Sequence, residues 1–268
     1  MTILVVSYDG YSDLWDNFFK CKELYWRDCP YETVLANNKL EYKRDGVRVI
    51  HCGSDAQWST RARTALKSID SKYVCFLLED FFISSFVDSS LVEGALNLME
   101  QDSLKYYKLL SFSKIRTPQY KNKFGIKEIP NNLNYGVSLL AAIWEKDYFL
   151  EKIGEEDYNP WRFEADRNVE SESASSDEKY IDKVYDSRNI LNICHMIVQG
   201  KYIRRGVHVI AQKGINVDLS KRPVMTISET FSYKLKRFGS PIIRKYPFLR
   251  GLLKFVGFNS VEMDNRRK

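Results

Sequence analysis

The sequence lacks the features that would place it in several common classes of protein. Its 268 residues include five cysteines and no Cys-x-x-Cys pair, which argues against a disulfide framework and against a cysteine-rich zinc site. No run of about 18 uncharged apolar residues occurs, so no transmembrane helix is predicted. The sequence also has no Walker A motif, no GxGxxG after the first predicted strand, no GxSxG elbow and no HExxH. The best-known nucleotide-binding, hydrolase and metalloprotease signatures are therefore missing.

The composition is that of a globular protein with a large core. Apolar residues make up 44% of the chain, aromatic residues 14% and charged residues 28%. These values exclude intrinsic disorder and a small disulfide-bonded scaffold. The length suits one domain, or one domain with an appendage. The opening MTILVVSYDG has no basic leader and is read as a strand rather than a signal peptide, so we expect a reducing, cytoplasmic location.

Positive charge is concentrated near the C-terminus. Residues 230–268 carry ten Lys/Arg and two acids, whereas the preceding residues hold 31 basic and 33 acidic residues. Within 231–258 seven bases alternate with apolar residues and no acid occurs, a composition typical of segments that lie on anionic membranes. A small helical bundle packed on the body is the alternative. We expect a catalytic domain over 1–220 and a basic amphipathic segment over 221–268, peripheral at the inner face of the cytoplasmic membrane.

Nucleic acid is a poor candidate for the partner of this basic segment. Basic residues interleaved with aromatic ones also bind phosphate backbones. The body, however, is slightly acidic, and the sequence has no RRM, KH or helix-turn-helix pattern. We therefore expect no nucleic-acid partner.

The first third of the chain alternates predicted strands and helices with short links. Strands are expected over 2–7, 47–53 and 73–78, and the run WSTRARTALKSI reads as a helix with one apolar side. This alternation predicts βαβ units on a parallel sheet, in which ligands bind beyond the carboxyl ends of the strands. Residues 7–11, 52–59 and 79–82 are therefore the segments in which to look for a site. Residues 165–180 are acidic, Ser-rich and poor in apolar residues, and are expected to form a mobile surface loop.

Two acidic signals stand out. Glu79 and Asp80 end the apolar run YVCFLL, a position where carboxylates could hold a divalent cation or a hydroxyl-rich ligand. The structural alternative is a pair of capping acids. Glu164 follows Trp161 in the segment WRFE, where partial desolvation could turn it into a general base. A surface turn anchored by the tryptophan would explain the same pattern.

Basic side chains give weaker signals. Arg61 and Arg63 lie in the predicted helix that begins at residue 58, and guanidinium groups match phosphate oxygens well. A solvated helix face explains them equally well. His195 and His208 could complete a metal site or meet a phosphate, although each is more often an ordinary structural residue.

Taken together, these segments resemble bacterial glycosyltransferases of the GT-A fold, in particular those found in clusters for capsule, lipopolysaccharide or other cell-surface glycans. The segments that carry the resemblance lie between about residues 2 and 218: SYDGYSDLW, WSTRARTAL, LLEDFF, AAIWEKDYF with NPWRFE, and QGKY. The chain departs from the family's acidic DxD motif, since phenylalanines follow Asp80. The resemblance implies an α/β, Rossmann-like, mostly parallel sheet flanked by helices.

The resemblance also implies roles for individual residues. Donor binding falls to Ser7, Asp9, Tyr11, Arg61, Arg63, Glu79 and Asp80, catalysis to Glu164 with Asp166 as the fallback, and a possible Mn²⁺ or Mg²⁺ to Glu79 and Asp80, with His195 and His208 as remote candidates. The implied donor is a UDP- or GDP-type nucleotide-sugar, and the implied acceptor is a glycan or a polyprenyl-linked glycan. The implied reaction is an inverting transfer. A non-catalytic nucleotide- or glycan-binding module and a membrane-docking scaffold are the alternatives.

Overall fold

A computed structural model describes residues 1–112, 117–174 and 180–233. The chain divides into two compact units, residues 1–194 and 195–268. The first unit therefore ends at residue 194, and the expected domain boundary at residue 220 stays a prediction. Most of the segment 231–258 lies outside the described residues. Among the described residues, no helix has both the length and the apolar character needed to cross a membrane.

The first unit is built on an eight-stranded sheet. Its strands, in chain order, are β1 (Thr2–Val6), β2 (Thr33–Asn37), β3 (Val47–His51), β4 (Tyr73–Leu77), β6 (Tyr106–Lys108), β7 (Ile126–Glu128), β8 (Ala142–Glu145) and β9 (Lys183–Asp186). Their spatial order is β3-β2-β1-β4-β8-β6-β9-β7, while β5 (Phe81–Ile83) and β10 (Ile193–His195) lie outside this sheet.

Most strands of the sheet run in one direction. β1 pairs in parallel with β2 and β4, β2 with β3, and β6 with β9. β8 is antiparallel to both β4 and β6, and β7 is antiparallel to β9. Every residue of β1, β2 and β4 is buried, as expected for strands covered on both faces. The predicted α/β, Rossmann-like fold with a mostly parallel sheet is confirmed.

Helices flank the sheet and complete its core. The first unit contains α1 (Ser12–Tyr25), α2 (Trp58–Lys67), α3 (Ser89–Asp102), α4 (Lys146–Ile153) and α5 (Pro160–Ser173). One core cluster joins α2, α4 and α5 to the sheet, and its centre is the stack of Trp144 on Phe149, with ring centroids 4.2 Å apart and Phe163 packed beside them. The apolar side predicted for the helix at residue 58 is buried. These contacts hold α5 against the sheet.

The prediction of a mobile loop over residues 165–180 is wrong for most of that range, because α5 continues to Ser173. The Asn159 side chain caps this helix by accepting a hydrogen bond from the Arg162 amide, and Pro160 occupies its first turn, where a missing N–H costs nothing. Phe163 anchors the inner side. Residues 175–179 of the expected loop lie outside the described residues.

The described part of the second unit is small. It contains β11 (Ile197–Val198), β12 (Lys201–Tyr202) and α6 (Arg204–Ala211). The two strands form an antiparallel hairpin, whose turn has positive φ at Gln199 and Gly200. Two contacts connect the chain beyond α6 to this hairpin. Tyr202 forms an isolated β-bridge with Val224, and Lys201 Nζ forms an ion pair with Glu229 Oε1.

Candidate functional site

The carboxyl ends of β1, β2, β3 and β4 lie at one edge of the sheet. Register places Val6 beside Ala36, Ala36 beside Ile50, and Val5 beside Leu77. The segments that follow these strands therefore meet at this edge, which is where open α/β sheets bind ligands. We name it the donor edge, after the donor site that the resemblance to GT-A glycosyltransferases implies.

Asp9 organises the donor edge. Its carboxylate accepts hydrogen bonds from the backbone amides of Asn38, Lys39 and Leu40, at 3.1 to 3.2 Å for the shortest contact with each. Several amides aimed at one carboxylate form a charge-assisted cluster that fixes the loop after β2. The predicted direct contact of Asp9 with the nucleoside stays a prediction, and the geometry gives the carboxylate a role in shaping the loop.

Asn38 extends this network to the next loop, and the sequence reasoning missed it. Its side-chain amide donates to the carbonyl oxygens of Gly53 at 2.9 Å and Ala56 at 3.0 Å. The side chain is almost fully buried, so the bonds replace water that it cannot reach. The loops after β2 and β3 are thereby held together.

Of the predicted nucleoside contacts, Ser7 faces the interior. Ser7 is 1% exposed and its Oγ accepts a 2.8 Å hydrogen bond from the Trp15 indole N–H. Tyr11 packs against Tyr8, with ring centroids 5.0 Å apart. Tyr8, which was not singled out from the sequence, is 43% exposed. The exposed aromatic surface at the end of β1 thus belongs chiefly to Tyr8.

Arg61 is the buried cation of the donor edge. It is 8% exposed, its Nη1 donates to the Ala56 carbonyl, and its guanidinium lies 5.9 Å from the Tyr8 ring centroid. Its Nε is buried without a hydrogen-bond partner among the described residues. Burial lowers the pKa of Arg61, and the negative charge of Glu79 is the largest influence that opposes it. The structure therefore brings the predicted Arg61 and Glu79 together.

Arg63 is directed elsewhere. Its Nη1 donates to the Gly154 carbonyl at 2.6 Å, and its Nη2 donates to the Thr60 hydroxyl at 3.1 Å. These contacts secure the connection between α4 and α5. The role of Arg63 in donor binding stays a prediction, and its contacts differ from those of Arg61 although the two arginines are only two residues apart in α2.

Glu79 and Asp80 lie just beyond β4, in the turn that leads to β5. The turn is closed by a 3.0 Å hydrogen bond from the Phe81 amide to the Leu78 carbonyl. Glu79 is 8% exposed, and Asp80 is partly exposed. Two carboxylates fit a Mg²⁺ or Mn²⁺ that takes its remaining oxygen ligands from phosphates and water. Among the described residues no three His, Cys, Asp or Glu side chains are grouped as a metal site.

The two histidines named as remote metal candidates lie in the second unit. His195 is exposed, and His208 on α6 has its Nε2 3.1 Å from the Gln212 amide nitrogen. Neither belongs to a cluster of three potential ligands within the described ranges. Their metal role stays a prediction with no geometric support.

Glu164 lies on α5 and is half-buried. Its Oε1 accepts a 3.2 Å hydrogen bond from the Leu139 amide, in the segment that leads into β8. A carboxylate in a partly dry setting suits a proton acceptor. Asp166, the fallback, is exposed on the same helix and pairs with Arg162 Nε at 3.7 Å. The base role stays a prediction for both residues, and Glu164 is the less exposed of the two.

A buried lysine was missed by the sequence reasoning. Lys108 ends β6, is 1% exposed and lies near enough to Glu164 for that carboxylate to raise its pKa. Burial acts more strongly in the opposite direction and lowers the pKa of Lys108 to about 7. The available signal was the charged residue in the otherwise apolar run YYKLL.

Comparison with known proteins adds to the description of the fold. No model of a known protein family matches the sequence. No curated protein matches it either. Solved structures similar to this chain include residues 1–349 of S. aureus TarS in complex with UDP-GlcNAc, at 15% identity over 82% of this chain and 68% of that one, with a TM-score of 0.41. The chain spans 40% of the full TarS structure.

Two further similar structures are those of other enzymes. A galactosyltransferase, LgtC, in complex with donor and acceptor sugar analogues is 13% identical over 71% of this chain and 69% of that one, with a TM-score of 0.37. A CMP:2-keto-3-deoxy-manno-octonic acid synthetase with CTP is 12% identical over 69% and 87%, with a TM-score of 0.43. At these identities the likeness concerns the fold alone.

Proposed function

We propose that this chain is a nucleotide-sugar-dependent glycosyltransferase whose donor binds at the donor edge. The observation that carries the proposal is the convergence of Tyr8, Arg61 and Glu79 at the carboxyl ends of β1, β3 and β4. An exposed aromatic ring can stack on a base, and a buried guanidinium can meet a diphosphate. Glu79 and Asp80 would hold a Mg²⁺ or Mn²⁺, which supplies charge neutralisation for the departing diphosphate.

The proposed reaction is a single displacement with inversion. Glu164 takes the proton from an acceptor sugar hydroxyl, and the resulting oxygen attacks the anomeric carbon of the donor. The bond from that carbon to the diphosphate oxygen breaks, and the nucleoside diphosphate leaves with the bonding electrons. Arg61 stabilises the charge that develops on the leaving group.

We further propose a UDP- or GDP-type donor and a cell-surface glycan acceptor, such as a capsule or O-antigen precursor on a polyprenyl lipid. A peripheral position on an anionic membrane would suit such an acceptor. The charge distribution supports a position on an anionic membrane. Residues 195–268 carry 16 Lys/Arg and four acidic residues, whereas residues 1–194 carry 25 Lys/Arg and 31 acidic residues. Basic residues near an anionic surface contribute about 1 kcal/mol each.

The first test is binding. We expect one of UDP, GDP, CMP or TDP to raise the melting temperature, and Mn²⁺ to increase the effect. Arg61→Lys and Arg63→Lys form a matched pair, since both exchange a guanidinium for an ammonium on α2. Only Arg61→Lys should weaken nucleotide binding. If no nucleotide stabilises the wild-type protein at millimolar concentration, the proposal fails.

The second test is turnover. Glu164→Gln should abolish transfer and keep nucleotide binding, whereas Asp166→Asn, two residues away on the exposed side of α5, should remain active. Release of nucleoside diphosphate from the donor measures both. Nucleotide binding without turnover in the wild-type protein, over a panel of donors and acceptors, would instead support a non-catalytic binding module.

A further inference from the structure

Lys108 lies at the same edge of the sheet as the proposed donor site. Ala142 of β8 pairs with Phe76 of β4 on one side and with Lys108 on the other. Lys108 is therefore two strand spacings from β4, about 10 Å. β6 runs in the same direction as β4, so the segments that follow the two strands leave the sheet at the same edge.

The ammonium group is held from three sides. Nζ donates to the Ser138 hydroxyl at 3.1 Å and to the Tyr135 carbonyl at 3.3 Å, and it lies 3.9 Å from the Phe112 ring centroid. An ammonium has three N–H groups, and an aromatic face attracts the cation. These contacts orient the ammonium group and offset part of the free-energy cost of burying its charge.

The same short segment connects Lys108 to Glu164. Within residues 135–139, the Tyr135 carbonyl and the Ser138 hydroxyl accept hydrogen bonds from Lys108. The Leu139 amide of the same segment donates to Glu164 Oε1. Asn168, four residues beyond Glu164 on α5, accepts a 2.8 Å hydrogen bond from the Tyr135 amide. The segment is therefore fixed between the lysine on β6 and two side chains of α5.

We propose that Lys108 is a positioning residue for Glu164: its ammonium fixes the segment 135–139 that orients the carboxylate, and its positive charge keeps that carboxylate ionised. This inference rests on the proposed function for its catalytic meaning, since Glu164 is the proposed base. The reason is electrostatic. In a partly dry site a nearby cation favours the charged form of a carboxylate and opposes the desolvation that would protonate it.

Within the described ranges, two tyrosines share contacts with Lys108. Tyr106, two residues earlier on β6, donates to the Ser138 carbonyl at 3.2 Å, and burial raises its pKa. Tyr185 of β9 pairs with Lys108 in register and packs its ring on Phe112, 4.8 Å between centroids. Because its pKa is raised, the Tyr106 phenol adds no charge near neutral pH. Glu164 is therefore the charged neighbour whose titration should respond to Lys108.

The test is a titration of Glu164 that needs no substrate. Protein labelled with ¹³C at glutamate side-chain carboxyls is titrated by NMR, and the Glu164 signal is assigned by its loss in Glu164→Gln. We expect Lys108→Met to raise the Glu164 midpoint by about one unit or more, and Lys108→Arg to restore it in part. Lys105→Met is the matched control, since it removes a lysine that pairs with Glu145 at 3.4 Å. An unchanged midpoint in Lys108→Met would overturn the proposal.

A reciprocal titration covers the case in which Lys108→Met does not fold, as judged by near-UV circular dichroism. Coupling is mutual, so Glu164→Gln should lower the midpoint of Lys108, followed at its ε-carbon. If that midpoint stays in place, the proposal is overturned. Nucleotide binding is scored separately: a coupled pair in a protein that binds no nucleotide would refute the proposed function and leave the pairing intact.

A turnover readout then separates positioning from a merely structural role. Lys108→Met should move the acid limb of the kcat/KM profile to higher pH by the same amount as the Glu164 midpoint, with nucleotide affinity unchanged. A uniform loss of activity at every pH would show that Lys108 only supports the fold, and would overturn the proposed action on Glu164.

Discussion

Lys108 makes the stability of the first unit depend on pH in a direction that can be worked out. Its pKa is about 7 in the folded protein, against 10.5 ordinarily. Between these values the unfolded chain binds a proton that the folded chain does not, so stability rises with pH in this window and is constant below it. One proton contributes about 1.4 kcal/mol per pH unit. The replacement Lys108→Met removes this dependence.

The expected result is a difference between two curves. From pH 7 to pH 10 the free energy of unfolding of the wild-type protein should rise, relative to Lys108→Met, by about 4 kcal/mol in all. Below pH 7 the contribution of Lys108 itself to this difference is constant. Thiols titrate in the same range, as with Cys52, whose pKa burial raises to about 11. They are present in both proteins and cancel in the difference.

The assay is urea unfolding followed by tryptophan fluorescence. All five tryptophans lie within residues 1–194, so the signal reports the unit that contains Lys108 even if the two units unfold separately. Lys105→Met corrects for the general loss of a lysine near β6. Parallel curves for wild type and Lys108→Met from pH 7 to pH 10 would refute the reasoning, because they would mean that Lys108 titrates alike in the folded and unfolded chains.

Three other predictions follow from buried polar contacts. Asp186, 0% exposed, accepts hydrogen bonds from Arg188 and from the Tyr107 hydroxyl at 2.9 Å, so Asp186→Asn should lower the free energy of unfolding by about 3 kcal/mol in urea titrations. Asp9→Ala leaves the amides of the loop after β2 without their acceptor and should cost about 1 to 3 kcal/mol; nucleotide affinity, measured by calorimetry, should fall with it. Ser59→Ala cuts a two-way link between α2 and the α4–α5 connection and should cost about 1 kcal/mol by the same urea assay.

The sheet was predictable because its signal is local. The apolar runs that form β1 and β4 are buried along their whole length, and a run of that kind leaves few alternatives to a central strand. α5 was not predictable in the same way. Its first-turn signals, Asn159 and Pro160, are those of a helix start, yet the residues that follow are acidic and Ser-rich. Tertiary packing of Phe163 on the core outweighs that composition.

The partners of individual side chains could not be predicted, because they depend on which segments the sheet brings together. Arg61 and Arg63 have the same chemistry and nearly the same place in the sequence. Because an α-helix has 3.6 residues per turn, their side chains leave α2 in different directions. One guanidinium packs under Tyr8, and the other bonds the backbone after α4. Sequence spacing alone gives the two arginines equal weight.

The roles of the acidic residues divide along the same lines. Asp9 is predicted to touch a ligand, but its carboxylate accepts hydrogen bonds from three backbone amides. The Asn38 side-chain amide donates hydrogen bonds to the loop after β3. The side chains that shape the donor edge are thus directed at backbone. Of the side chains proposed to meet a ligand, Tyr8 adjoins Asp9 in the chain and Arg61 bonds the Ala56 carbonyl, which also accepts from Asn38. A site in which the reacting groups rest on pre-formed loops needs little rearrangement to bind, and such pre-organisation is what electrostatic stabilisation of a leaving diphosphate requires. Loosening the network through Asp9 should therefore weaken nucleotide binding even though Tyr8, Arg61 and Glu79 are all retained.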